Sequence, residues 1–217
     1  MLFEIGMWLI QRKITFVQIF KNEMKLSIDL TYNTTQAWVD AVMNDFDSFL
    51  QDHADCERKA SAMAMSFVSK CPDKTKIIPE LIETALEELK HFQQVYHIME
   101  KRGIQLKAEM PEDLYIKQLL ALLRSKSSER LMDRLLLASI IECRGTERFR
   151  LVEEALQDNE LKRFYKMLWA SEAKHGNIFV KMALEYYPKD DVYKRLHELT
   201  VKEGEICKAL LIKAALH

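Results

Sequence analysis

A four-residue phrase occurs twice in this chain, as Glu88-Leu89-Lys90-His91 and as Glu172-Ala173-Lys174-His175. In a helix, residues i and i+3 share a face, so each phrase aims a carboxylate and an imidazole in one direction. A duplicated helix pair repeats every functional residue at one offset. His175 follows His91 by 84 positions, Glu172 follows Glu88 by the same 84, and Glu142 follows Glu57 by 85. A single Glu-x-x-His is an ordinary accident of a charged helix surface. Two in phase, each preceded by a lone Glu one helix earlier, form a much more specific signal.

Four helices carrying Glu57, then Glu88 with His91, then Glu142, then Glu172 with His175 supply the six ligands of a ferritin-like di-iron carboxylate site. Carboxylates and imidazoles without a thiolate exclude a typical iron–sulfur centre and suit two iron or manganese ions. The same residues drawn on apolar stripes support this, because an unpaired carboxylate aimed into a core is costly and metal ligation gives it a partner.

The fold class follows from what surrounds the phrases. Only five Gly and four Pro occur in 217 residues, with 48% hydrophobic and 30% charged side chains. That mixture favours long amphipathic helices around one sizeable core. We expect an all-α, ferritin-like four-helix bundle with a long crossover between its second and third helices and an additional C-terminal helix. The formal net charge of −1 offers no global basic footprint, so nucleic-acid binding would have to use local patches. Cys56, Cys71, Cys143 and Cys207 form no Cys-x-x-Cys pair and are expected to be reduced thiols of a cytoplasmic protein.

Residues 24–217 are expected to form the bundle domain. Residues 1–23 are apolar but interrupted by Glu4, Arg12 and Lys13, which argues against a membrane span or a secretory signal. They are expected to be a peripheral extension or an over-long start, with a surface-bound amphipathic anchor as the alternative. The first bundle helix should begin after Tyr32-Asn33-Thr34-Thr35, run unbroken through Val42, Phe46, Phe49, Ala60, Ala64 and Phe67, and stop at Cys71-Pro72. The second should start at Pro79 and end at Gly103. The stretch 103–125 is the crossover. The third helix starts at Ser127 or Ser128, the fourth follows Gln157-Asp158-Asn159, and 192–216 is predicted to be the extra helix.

Several residues carry open alternatives. His53, one turn before Glu57, is a hydrogen-bond partner behind the ligands, a substrate-channel contact or a satisfied core histidine. Glu147 competes with Glu142, though the offset favours Glu142. Gly145 leaves room beside a metal. Cys56 and Cys143 adjoin the lone Glu residues but point about 100° away, as packing residues do. The basic residues Arg144, Arg148, Lys162, Arg163 and Lys166 are candidates for an RNA-binding surface, against an ordinary salt-bridged surface.

The flanks of these ligands resemble one family. The runs His53-Ala54-Asp55-Cys56-Glu57-Arg58-Lys59-Ala60, Glu87-Glu88-Leu89-Lys90-His91-Phe92, Glu142-Cys143-Arg144 with Glu147-Arg148-Phe149, and Ser171-Glu172-Ala173-Lys174-His175 are similar to the bacterial tRNA-(2-methylthio-N6-isopentenyladenosine) hydroxylases. The similarity spans about residue 25 to the C-terminus, and Gly145 departs from the small polar residue expected there. The resemblance implies a monooxygenase that hydroxylates the isopentenyl group of the modified adenosine beside the anticodon. It implies two iron ions as a non-haem centre, O2 as cosubstrate, and tRNA and an external electron donor (a reductase or ferredoxin-like protein) as partners. The protein is then cytoplasmic, without a membrane partner, and a monomer or weak oligomer. An iron-storage or peroxide-handling protein would use the same six ligands.

Overall fold

The computed structural model describes residues 28–217; the extension at 1–23 lies outside the described residues. Seven helices and no strand occur among the described residues: α1 (Gln36–Asn44), α2 (Phe46–Lys70), α3 (Ile78–Lys101), α4 (Leu114–Leu120), α5 (Ser127–Ala155), α6 (Asn159–Leu184) and α7 (Lys189–Ala209). The bundle is α2, α3, α5 and α6. Helices α2 and α3 pack along each other as one hairpin and α5 and α6 as the other, with α3 meeting α6 between them. None of the described helices is long and apolar enough to cross a membrane.

Local chemistry sets most boundaries where the sequence places them. Pro79 occupies the first turn of α3, where its missing N–H costs no bond. Gly103 closes that helix with φ +69, and the Ile104 N–H donates to the Met99 carbonyl at 2.9 Å, as a Schellman cap requires. Asp158 caps α6, its Oδ1 accepting from the N–H groups of Glu160 at 2.8 Å and Leu161 at 3.1 Å. The crossover between α3 and α5 carries the short helix α4, which buries Tyr115 and Leu119.

Two boundaries differ from the sequence expectation. The first predicted helix is broken at Asp45 (φ −140, ψ 63). The Asp45 side chain turns to accept the Ser48 N–H at 3.2 Å, so it ends α1 and caps α2. The last helix stops at Ala209 rather than continuing to 216. Beyond it, residues 214–217 turn inward because the bundle offers their backbone better partners than a helix would. Trp38 Nε1–H donates to the Ala215 carbonyl at 3.0 Å, the Leu216 N–H donates to Asp52 at 2.7 Å, and Arg148 donates to the Leu216 carbonyl. His217 stacks on Tyr115 with ring centroids 4.8 Å apart.

The core runs the length of the bundle. One end packs Phe67, Leu81, Leu135, Leu136 and Phe179 with Val192 and Leu199 from α7. The other packs Trp38, Val42, Phe49, Phe149, Val152 and Leu168. The carboxylate and imidazole residues of the repeated phrases lie among these helices as buried polar groups. The four cysteines are free thiols.

Candidate metal centre

The four bundle helices bring the six predicted ligands together. Ligand atoms of Glu57, Glu88, His91 and Glu172 lie within 4.8 Å of one another, and so do those of Glu88, Glu142, Glu172 and His175. The two sets share Glu88 and Glu172. Each Glu-x-x-His phrase therefore contributes one carboxylate common to both sets and one imidazole particular to one set. Glu57 and Glu142, the lone residues, complete opposite ends.

The contacts inside the cluster are those of converging lone pairs. His91 Nδ1 lies 2.6 Å from Glu172 Oε1, and His175 Nδ1 lies 2.8 Å from Glu88 Oε1. Yet Glu88 Oε1, His91 Nδ1 and Glu172 Oε1 are buried without a hydrogen bond of acceptable geometry. Buried polar atoms seldom lack a partner, and atoms that crowd a common point without aligning for hydrogen bonds suit cations between them. With this donor set the residues fit a pair of divalent ions.

The electrostatics of the cluster carry the same message. Burial pushes the carboxyls of Glu57 and Glu142 well up, and the neighbouring carboxylates Glu88 and Glu172 push them further. Burial also opposes charge on His91, but Glu172 and Glu88 outweigh it and raise the imidazole to about 9. Four carboxylates cannot all be ionised in one dry site without cations. Burial opposes charge on Glu88 as well, but His175 and His91 hold its carboxyl down to about 2, and metal ions would supply that positive charge in their place.

Residues behind the clustered side chains fix their orientation. His53 Nε2 lies 2.7 Å from Glu57 Oε1 and its Nδ1 lies 3.1 Å from the Tyr165 hydroxyl. Burial, then His91, lowers His53 to about 3, so the ring is neutral, with one nitrogen against Glu57 and the other against the Tyr165 hydroxyl. On the other side Glu87, half exposed, accepts from His175 Nε2 at 2.6 Å. That contact leaves Nδ1 facing the cluster. Neither Tyr165 nor Glu87 was singled out from sequence. Glu87 stands beside a ligand in the phrase itself, whereas Tyr165 lies 112 positions from His53 and carries no local signal.

Other expectations separate here. Glu147 faces away from the cluster, accepting from the Thr34 N–H at 2.8 Å and the Thr34 hydroxyl at 2.7 Å. Gly145 makes no room for a metal, since a Cβ there would meet only Phe149 at 3.9 Å. Near the cluster the close approach is instead at Gly176, next to His175, where a Cβ would come within 2.6 Å of Cys143 Sγ. Cys143 is thus a packing residue, as expected. Cys56 packs too, and also edges the cavity described next.

The expected basic surface is corrected. Arg144 is wholly buried and Arg148 nearly so. Arg144 forms a two-pronged contact with Glu203 of α7, Nε to Oε1 at 2.8 Å and Nη2 to Oε2 at 3.1 Å, and also pairs with Glu147. Arg148 is spent on the Leu216 carbonyl and on the face of Trp38. Neither can reach an RNA. Lys162 is half-buried, and Arg163 and Lys166 are exposed on α6, with Arg163 in a groove shared with His97 and Lys101 of α3.

A cavity of about 290 Å³ adjoins the cluster between α2, α4 and α5. Its wall is largely apolar, through Ala60, Met63, Phe67, Ile116, Leu120 and Leu137, and Glu142 forms part of it. A small apolar group entering there would lie beside a ligand carboxylate.

The chain is similar to known proteins. The family model described as tRNA-(MS[2]IO[6]A)-hydroxylase (MiaE) matches residues 22–217. The tRNA 2-(methylsulfanyl)-N(6)-isopentenyladenosine(37) hydroxylase of Pseudomonas putida is 33% identical over 176 residues, covering 81% of this chain and 85% of that protein. The protein of the same description from Salmonella typhimurium is 31% identical over 115 residues, 53% of this chain and 42% of its own length. Among solved structures, Protein 43 with aldehyde deformylating oxygenase activity from Synechococcus superposes with TM-score 0.82 at 30% identity, covering 87% of this chain and 94% of that one.

Proposed function

This chain belongs to the tRNA-(MS[2]IO[6]A)-hydroxylase (MiaE) family, and from that premise we propose how its residues carry out the reaction. It is an O2-dependent oxidoreductase, a monooxygenase that hydroxylates 2-methylthio-N6-isopentenyladenosine in tRNA. The observation that carries the site assignment is the pair of four-ligand sets sharing Glu88 and Glu172 beside an apolar cavity.

In this reading Glu57 and His91 would hold one iron ion and Glu142 and His175 the other, with Glu88 and Glu172 within reach of both sets. Two ferrous ions held there would supply the redox chemistry that activates O2 for C–H hydroxylation. His53, held by Tyr165, fixes the Glu57 carboxylate. Glu87 fixes the His175 tautomer so that Nδ1 keeps its lone pair for the ion. The apolar wall around Ala60, Phe67 and Leu137 excludes water and accepts the isopentenyl group with its terminal methyl toward Glu142. The modified base must leave its stack to present that group.

The overall conversion is R–H + O2 + 2 e⁻ + 2 H⁺ → R–OH + H2O, so each turnover draws two electrons from an external donor. A tRNA substrate supports a cytoplasmic setting for the reaction. The test incubates the iron-loaded, reduced protein with O2 and isopentenylated tRNA and weighs the digested nucleosides. A gain of one oxygen on the isopentenylated nucleoside alone is expected. Ferrous oxidation with no nucleoside change would favour iron storage or peroxide handling instead.

A further inference from the structure

The wall of the cavity beside Glu142 carries two cations, Lys59 and Arg134, together with the carboxylate of Asp113, and the two cations differ in kind. Lys59 is neutralised by Asp55 at 2.5 Å. Arg134 has no carboxylate within ion-pair distance among the described residues. Its Nη2 donates to the Ser66 hydroxyl at 2.9 Å, and its guanidinium lies 4.4 Å from the centroid of the Phe67 ring. The other partly or wholly buried arginines of the crossover and of α5 and α7 are mostly matched with acids. Arg124 and Arg195 share Asp133, and Arg144 has Glu203 and Glu147.

A half-buried guanidinium without an anion is a cost the fold could remove with one acidic neighbour. Here the neighbour is another cation. Arg130 stands one turn earlier on α5, exposed and also without a carboxylate partner among the described residues. Like charges at i and i+4 oppose helix stability. Burial, together with the Arg130 charge, moves Arg134 below its ordinary value. Ser66 and Phe67 nevertheless hold the guanidinium in one place at the cavity edge, so little freedom is lost when it takes a ligand.

We propose that Arg134, with Arg130 beside it, is a phosphate subsite at the cavity mouth, taking a tRNA backbone phosphate next to the target nucleoside. The assignment rests on the tRNA-hydroxylase reading and extends it. A guanidinium fork fits phosphate oxygens two at a time. Such a contact sets the register of the backbone without reading the sequence. With the phosphate clamped at the rim, the unstacked adenosine delivers its isopentenyl group inward past Phe67 toward Glu142. Arg134 is a positioning residue: it touches the substrate backbone, away from the reacting carbon.

The test is a tRNA-binding titration of the full chain, iron-loaded, at several salt concentrations, for the wild type, Arg134→Gln and Arg130→Gln. Loss of one charge-assisted contact should weaken binding about tenfold in Arg134→Gln. The plot of log affinity against log salt should become shallower by about 0.7, the counterion share of one single-strand phosphate. Arg130→Gln should move both readings in the same direction by less. Weakened binding with an unchanged salt slope would mean that Arg134 only shapes the cavity, and would overturn the subsite, as would unchanged affinity in both variants. If Arg134→Gln does not fold, the exposed Arg130→Gln decides by its slope. Failure of the hydroxylase reading shows separately, as wild-type protein that binds tRNA and adds no oxygen to it.

Discussion

Replacing Arg144 by Met should destabilise the protein rather than weaken its hold on RNA. Arg144 is fully buried, and its guanidinium is the only cation on Glu203 among the described residues; Glu203 is itself fully buried. After the substitution Glu203 keeps the Tyr115 hydroxyl at 3.1 Å and the Cys207 thiol at 3.0 Å, two neutral donors. The Tyr32 carbonyl loses its 2.8 Å donor as well. Removing one partner of a buried ion pair costs about 3–5 kcal/mol, because the other charge is left uncompensated. For a domain of this size each kcal/mol lowers the melting temperature by about 2–4 °C, so the expected fall is about 6–20 °C. Thermal unfolding followed by circular dichroism measures it. The companion Arg144→Met/Glu203→Leu chain should recover much of the loss, since neither charge remains buried, and the double-mutant cycle isolates the coupling. An Arg144→Met protein that melts within about 2 °C of wild type yet binds tRNA more weakly would refute the argument and return Arg144 to the surface.

Glu88→Ala and His175→Ala should each lower bound iron below the two ions per chain of a di-iron bundle, read by metal analysis; full iron in both variants would sink the ligand assignment. Ala60→Phe should fill the cavity at an overpacking cost of about 1–3 kcal/mol, suppressing tRNA hydroxylation while iron content stays intact. Gly176→Ala should cost a similar amount, about 1–3 kcal/mol, because its Cβ would meet Cys143 Sγ at 2.6 Å; Cys143→Ala in the same chain should relieve it, and a double variant melting no higher than the single would contradict the clash. At Asp133, burial raises the carboxyl pKa but Arg124 and Arg195 outweigh it, and the folded value is depressed. Its contribution is therefore present above the unfolded pKa of about 3.9 and lost as pH falls through the folded value. The stability gap between wild type and Asp133→Asn, from urea melts, should stay flat from neutral pH down to about pH 5 and close below about pH 4.

Local rules were enough for the bundle helices because the determinants sit within one or two turns. Pro79, Gly103 and Asp158 act on their own helix ends, and the 84-residue offset of the two phrases predicts facing helices before any packing is known. The break at Asp45 was locally encoded too, by an acid that can cap a helix, but the apolar stripe from Val42 to Phe49 continues across it and hides it. The end of α7 had no such sign. Leu210 to Leu216 is apolar enough to extend a helix, and only the Trp38, Asp52 and Arg148 side chains, far away in the chain, draw its backbone inward.

The arginines of α5 mark the boundary between the two kinds of information. Arg130, Arg134, Arg144 and Arg148 are one residue type on one helix, and periodicity cannot say which of them meets Glu203 on α7, Trp38 on α1, Phe67 on α2 or solvent. The sequence by itself determined the helical class and the family, and it singled out Glu57, Glu88, His91, Glu142, Glu172 and His175 as the residues that cluster, because residues that share one site must repeat with the helices that carry them. Only the tertiary structure decided which charges are buried, where the cavity opens, and which guanidinium is left facing it. Those outcomes depend on contacts between helices, and such contacts leave no periodic trace along the chain.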